Sequence, residues 1–342
     1  MDDALGPSQW TDPRWLASIG DWATTQLEAA GRIVSGPIEQ SHVRPWSTVL
    51  RIPTDGGPVW AKAAGPGTAH EVRLLPAMAA WSIPHVLTPL AVHADRGWLL
   101  LPDGGPTLRQ TRPDATGDKD LRAWEGILVA YADLQRSLEG RADALLELGV
   151  PDGRPDVLSA TLSGLVRMDQ WWDLVGPDDR ATAGQARSRL GELAGRVAVE
   201  AGELATSGIP STLQHDDLHG GNVFVGREGI RFFDWGDSVV AHPFASMVTT
   251  LNSIADRFDT DTDGPQFQRL RDAYLDAWTD VLPRSSLQTV LERALSLGRI
   301  GKAAAWARAL GGVDPAEMEG HGDAPALWLA DLVERLERRT AG

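Results

Sequence analysis

The chain has no cysteine in its 342 residues. Disulfides and thiolate metal sites are therefore excluded, and a cytoplasmic protein is the expectation. No run of about 18 apolar residues occurs, the length a membrane-crossing helix needs, so no membrane partner is expected. The opening segment, MDDALGPSQW, is acidic and has no apolar core, so it does not read as a secretory signal. Basic residues are in the minority, 32 Lys and Arg against 47 Asp and Glu, for a formal net charge of -15. A nucleic-acid partner gripped through its phosphates requires the opposite balance. Tyrosine is scarce at two, whereas tryptophan reaches 14, which reads as core packing and interface anchoring. No internal repeat or low-complexity tract interrupts a composition that is 42% hydrophobic and 23% charged, ordinary for a globular protein. The length suits two packed lobes.

From Pro13 to Arg32 the residues Trp15, Leu16, Ile19, Trp22, Ala23, Leu27 and Ala30 share one helical face. Residues 1–35 are thus expected to form an N-terminal helical extension. Short β-rich runs follow at 38–43 and 46–52, split by Arg44-Pro45. Asp55-Gly56-Gly57-Pro58 then turns the chain into a third run at 59–64. Residues 69–81 read as a helix with Glu71 near its start, and 86–93 and 98–101 as two more strands. Residues 36–102 therefore predict a small antiparallel sheet with one helix. Asp103-Gly104-Gly105-Pro106 reads as a turn and a hinge, after which the pattern becomes helical. Helices are expected at 120–137, 156–174, 181–207, 244–258, 266–281, 286–310 and 325–338, interrupted by short strands at 223–225 and 230–233. The fold class is α+β, with residues 103–342 as the larger, mainly helical lobe.

The informative stretch is Gln214-His215-Asp216-Asp217-Leu218-His219-Gly220-Gly221-Asn222, followed by Phe233-Asp234-Trp235-Gly236-Asp237. Phosphoryl transfer asks a protein for a carboxylate that orients the acceptor hydroxyl and for oxygen ligands that hold Mg²⁺ against phosphates. His-x-Asp with Asn five positions after the Asp supplies a base and a metal ligand on one loop. Asp-x-Gly after a short strand supplies a second metal ligand. Val59-Trp60-Ala61-Lys62 closes the third predicted strand, and Glu71 opens the next helix. Paired, they hold a charged lysine for the phosphates. His215 and His219, four apart, have no evident third partner for zinc. Asp256, Asp259, Asp261 and Asp263 form an acidic run that reads as a solvated loop or as an amine-binding mouth. No Ala-Pro-Glu segment follows Asp234, which speaks for a small acceptor rather than a protein.

These motifs resemble the aminoglycoside phosphotransferase family, small-molecule kinases of the protein-kinase-like fold. His-x-Asp-x-His-x-x-Asn with Asp-Trp-Gly downstream marks that family rather than protein kinases. The resemblance runs from about Ile38 through the helical lobe. It implies that Asp217 is the catalytic base, that Asn222 and Asp234 ligate Mg²⁺, and that Lys62, paired with Glu71, holds the phosphates of ATP or GTP. Backbone groups near Leu101 and Asp103 would bind the purine. His215 would brace the loop and His219 would lie beside it. Asp216, Asp237, Trp306 and Arg308 are candidate acceptor-binding positions, although Trp306 and Arg308 also read as ordinary helix packing.

Three departures stand out. Asp216 sits where many members carry Gly. The loop Ser41–Thr48 has no glycine, leaving Ser47 or Thr48 to contact phosphate. Ala241-His242-Pro243-Phe244-Ala245-Ser246 replaces two carboxylates usual after Asp-Trp-Gly. The expected function is γ-phosphoryl transfer to a hydroxyl of an aminoglycoside-like or other polar antibiotic. The alternatives are a kinase of a sugar, amino sugar or choline-like amino alcohol, and a nucleotide-binding pseudokinase. A monomer or homodimer is expected.

Overall fold

The computed structural model describes residues 6–113, 117–227, 229–260, 262 and 264–341, with residues 340 and 341 described by backbone alone. Two helices open it, α1 (Pro7–Trp10) and α2 (Pro13–Ala29). Asp12 caps α2, its carboxylate accepting from the Arg14 and Trp15 amides at 2.8 and 2.9 Å, and Pro13 takes the first helical position. Ile19, Ala23 and Leu27, one turn apart, form its buried face.

That face lies on a five-stranded sheet built from β1 (Glu39–Arg44), β2 (Ser47–Ile52), β3 (Val59–Ala64), then, after helix α3 (Glu71–Ala80), β4 (Ala91–His93) and β5 (Trp98–Pro102). The strand order is β1-β2-β3-β5-β4 and every pairing is antiparallel. Strand alternation sorts the faces. Val59, Ala61 and Ala63 of β3 pack with Ile19, Ala23 and Leu27, so Lys62 projects to the opposite face, toward α3. The sequence-predicted strand at 86–93 shrinks to Ala91–His93. Pro84 and Pro89 flank a left-handed His85 (φ +63°), and Val86 makes only an isolated bridge to Phe232.

The larger lobe continues with α4 (Leu108–Thr111), α5 (Asp118–Ser137), α6 (Ala142–Glu147), β6 (Asp152–Gly153), α7 (Pro155–Arg167), α8 (Asp169–Asp173) and α9 (Arg180–Ala205). It then forms β7 (Thr212–Gln214), β8 (Val223–Gly226), β9 (Gly229–Phe232) and β10 (Val239–Ala241). It closes with α10 (Met247–Phe258), α11 (Pro265–Leu275), α12 (Arg284–Ala309) and α13 (Ala324–Ala341). The helix expected at 156–174 is two helices, broken at Met168 (ψ 88°). The helix expected from 244 starts instead as a 3₁₀ turn led by Pro243, and α-helical geometry begins at Met247. Strands β7 and β10 have no counterpart in the sequence reading. They pair antiparallel, β7 leading into the loop that carries Asp217 and β10 following the segment that carries Asp234. No helix among the described residues is long and apolar enough to cross a membrane.

At the linker, a Cβ on Gly104 would stand 2.2 Å from the Phe224 ring, so only glycine lets the chain pass there. Thr107 bridges Phe224, and the Val225 amide donates to the Pro106 carbonyl at 3.1 Å.

Candidate active site

Four of the sequence-predicted residues meet between sheet and helical lobe. Lys62 Nζ donates to Glu71 Oε2 and to Asp234 Oδ1, each at 2.5 Å. Glu71 is fully buried, and its second oxygen accepts from the Trp235 amide at 2.9 Å, tying α3 to the Asp-Trp-Gly segment. Burial opposes the Lys62 ammonium, but Asp234 and Glu71 outweigh it and hold the lysine firmly protonated. Burial likewise opposes the Asp234 carboxylate, and Lys62 outweighs it, so its pKa lies below the ordinary carboxylate value. The left-handed residue of this segment is Asp234 (φ +67°), not Gly236. Gly236 is needed for close approach, because a Cβ there would meet Thr68 Cβ at 3.1 Å.

The loop after β7 is pinned from three sides. Tyr131 on α5 accepts the His215 amide at 2.8 Å, and Thr249 and Thr250 on α10 donate to the carbonyls of Asp216 and Leu218 at 2.9 and 3.0 Å. His215 is fully buried. Its Nε2 donates to the Phe233 carbonyl at 2.9 Å while Nδ1 accepts the Asp217 amide, so it joins this loop to the Asp234 segment. Burial keeps it neutral by lowering its pKa. Asn222 Nδ2 donates to the Asp217 carbonyl (2.9 Å) and to Asp217 Oδ2 (3.0 Å), and among the described residues none bonds its Oδ1. The Gly221 amide donates to His219 Nδ1 at 2.9 Å. The His219 proton therefore resides on Nε2, 3.4 Å from Asp217 Oδ2. Burial works against ionised Asp217, yet the His219 hydrogen bond and the charge of Lys302 prevail, and its pKa falls well below the usual range.

Several expected positions land elsewhere. Asp216 is 1% exposed and accepts from Gln214 Nε2 at 2.7 Å, so its carboxyl is sealed behind the loop and touches no acceptor. The Thr48 hydroxyl is fully buried and donates to the His42 carbonyl at 2.6 Å, which removes it as a phosphate contact. Ser47 is also buried, at the foot of the β1–β2 turn. Arg308 commits its guanidinium to the carbonyls of Gly67 (2.9 Å) and Asp237 (3.2 Å). Trp306 stacks on His321 with centroids 5.1 Å apart and meets Trp46 edge-on at 5.3 Å. Both residues thus bind the sheet lobe instead of facing an acceptor cavity. Leu101 is buried in β5 opposite Trp60, and Asp103 Oδ1 accepts from Trp60 Nε1 at 3.2 Å. Asp237 is half-buried, and burial raises its pKa against the pull of Lys302.

A cavity of about 390 Å³ opens beside the loop at Gly220, lined among others by Arg109, Trp124, Asp256, Arg257 and Phe258. Asp256 of the acidic run belongs to it, Asp259 is exposed in the turn after α10, and Asp261 and Asp263 lie outside the described residues. Arg109, 3.4 Å from His219 Nδ1, was not singled out from sequence. Neither was Lys302 on α12, 4% exposed, whose Nζ donates to the Asp216 carbonyl at 2.8 Å. A signal existed: the chain has three lysines, 62, 119 and 302, among 32 basic residues, and Lys302 lies within an otherwise apolar stretch of helix.

A five-stranded sheet with a Lys–Glu pair, above a helical lobe whose loops bring Asp217, Asn222 and Asp234 together, defines a phosphotransferase of the protein-kinase-like class. A profile of the phosphotransferase enzyme family (APH) matches residues 39–284, and the chain belongs to that family. It is therefore a phosphotransferase. Among solved structures it is similar to Plasmodium vivax ethanolamine kinase (13% identity, TM-score 0.61, 93% of this chain and 89% of that one). It is also similar to a macrolide 2'-phosphotransferase type I (16%, 0.56, 93% and 97%). A third is choline kinase from Cryptosporidium parvum Iowa II (11%, 0.58, 89% and 90%). At such identities the likeness carries the fold. No curated protein sequence matches the chain.

Proposed function

We propose that this enzyme transfers the γ-phosphoryl group of ATP or GTP, with Mg²⁺, to a hydroxyl of a drug-sized polar molecule such as an aminoglycoside-like antibiotic. The observation that carries the transfer chemistry is the convergence of Lys62, Asp217, Asn222 and Asp234. The donor set fits a hard cation. Asp234 keeps 48% of its side-chain surface exposed, and Asn222 Oδ1 has no bond from the described residues, which gives two protein oxygens and leaves other positions to phosphate and water. Bound there, Mg²⁺ would neutralise charge developing on the transferred group.

The chain's own residues divide the remaining work. Lys62, held by Glu71, places an ammonium for the nucleotide phosphates. Asn222 and His219 both engage Asp217 Oδ2, which leaves Oδ1 to accept the proton of an acceptor hydroxyl. The cavity beside Gly220 holds the acceptor. Its volume of about 390 Å³ suits a drug-sized ligand better than a two-carbon amino alcohol, which favours the antibiotic reading over the metabolic one.

A phosphoryl-transfer screen with ATP–Mg²⁺ and GTP–Mg²⁺ over aminoglycosides, nucleoside antibiotics, sugars and amino alcohols tests this, with Asp217→Asn as the blank. The variant is expected to turn over about 10²-fold more slowly or worse. Near-normal turnover in Asp217→Asn removes the assigned base, and turnover confined to small sugars or amino alcohols removes the antibiotic reading.

A further inference from the structure

Lys302 is unusual for this chain. Of 32 basic residues three are lysines, and two of those, Lys62 and Lys302, converge on the catalytic cleft from opposite lobes. Lys302 stands on α12, 85 positions after Asp217, among apolar neighbours that include Leu297, Ile300, Ala303 and Ala305. Its ammonium donates to the Asp216 carbonyl at 2.8 Å and lies 3.9 Å from Asp217 Oδ1. Asp216 itself is left-handed, at φ +62°. Two donors, Lys302 and Thr249, hold the carbonyl of that strained residue, and the peptide they hold leads directly into Asp217.

We propose that Lys302 is a positioning residue for phosphoryl transfer, fixing the Asp216–Asp217 peptide and drawing Asp217 Oδ1 into its working direction. This rests on the proposed function and assigns a part of that site to a helix outside the motif loops. Buried at 4% exposure, the ammonium is directed at the Asp216 carbonyl and the Asp217 carboxylate, so it acts through that peptide. A compact ammonium suits the position because three donors diverge from one atom toward a carbonyl and a carboxylate. A planar guanidinium aims its donors in a fixed fork. Burial opposes the charged lysine, and the Asp216, Asp217 and Asp237 carboxyls outweigh it. The competing account is that Lys302 only balances buried acid and has no bearing on Asp217.

Four readouts separate the two accounts. In Lys302→Met, release of γ-phosphate from ATP–Mg²⁺ or GTP–Mg²⁺, to water or to any acceptor found, is expected to fall by about 10²-fold, the scale of a misaligned reacting group. Nucleotide Kd should stay within about threefold, since ground-state binding is untouched. Amide exchange over 215–222 should quicken, with the sheet lobe unchanged. Because the chain has no cysteine, Lys302→Cys treated with 2-bromoethylamine rebuilds an ammonium of near-lysine length at that single position, and iodoacetamide gives a neutral adduct of similar size. The first adduct should recover most of the turnover and the second should not. If Lys302→Met does not fold, Asp216→Asn/Lys302→Met, which removes the buried carboxyl together with the buried ammonium, gives the same comparison. Unchanged exchange over 215–222, equal recovery by both adducts, or parallel loss of nucleotide affinity and turnover would each overturn the proposal. A wild-type protein that binds no nucleotide would sink the kinase reading instead, since exchange over 215–222 still decides whether Lys302 holds the loop.

Discussion

Asp216 combines a left-handed backbone, which Asp tolerates better than most side chains, with a carboxyl that burial pushes up to about 7. Unfolded, the same acid ionises near its ordinary value, so between about pH 4 and 7 the native state keeps a proton that the unfolded chain has lost. The stability tied to this group is full below that window and falls as pH rises through it, by roughly 4 kcal/mol at most. Asp216→Asn should flatten the slope and be the more stable protein at pH 8, as urea melts across that range will show; an unchanged slope contradicts the assignment. Glu71 offers a second test. Glu71→Gln keeps the shape but removes a charge-assisted partner of Lys62, and nucleotide KM should rise about ten- to a hundredfold. At this scale the sequence was readable wherever chemistry demands a spacing. Asp217 and Asn222 share one loop, and Lys62 ends a strand, so their types and intervals are diagnostic. The sealed position of Asp216 and the arrival of Lys302 were not readable, because both depend on how α12 crosses behind the loop.

Among the elements, α12 does more than fill the helical lobe. Its end meets the loop between β3 and α3 so closely that a Cβ on Gly67 would lie 2.0 Å from the Arg308 carbonyl oxygen. Gly67→Ala must push that loop off the helix, with an expected loss of about 1–3 kcal/mol, the usual cost of overpacking. A thermal melt at fixed protein concentration measures it, and a melt equal to wild type would show that the contact is slack. The neighbouring β1–β2 turn, without glycine, is held by the Trp46 contacts to Trp306 and His321 and by Arg44 paired with Glu319 at 3.5 Å. The long periodic helices and the three leading strands were legible from apolar spacing. Strands β7 and β10 were not, since three residues are too few for a period of two to register. The break at Met168 lacks the proline or glycine that would announce it.

Across the whole molecule, acid should be the weak direction. His70 and His242 are buried, and burial first of all drives both to about 3. Below about pH 6.5 the unfolded chain takes up protons that these native imidazoles refuse, so their stability is full above that value and drains as pH falls toward 3. His215, which burial also lowers, adds to this direction against the contrary slopes of Asp216, Asp237 and Glu71, whose pKa values burial raises, and stability should rise between about pH 4 and 6.5. His242→Gln should shallow that rise in thermal melts; an identical profile would rule His242 out as a source. The two-lobed α+β plan was visible in the sequence as a switch from β-rich to helical pattern at Asp103. The contacts of Arg308 with Gly67 and of Trp46 with Trp306, which join the lobes away from that linker, were invisible, because both pair residues more than 200 positions apart.

One such contact gives the protein an optical property. Trp46 rides on the sheet lobe and Trp306 on the helical lobe, edge to face at 5.3 Å. Any parting of the two lobes must hydrate both indoles together, shifting their emission to longer wavelength. Difference spectra against Trp46→Phe would then isolate that shift from the other tryptophans, so the enzyme reports its own opening without an added dye.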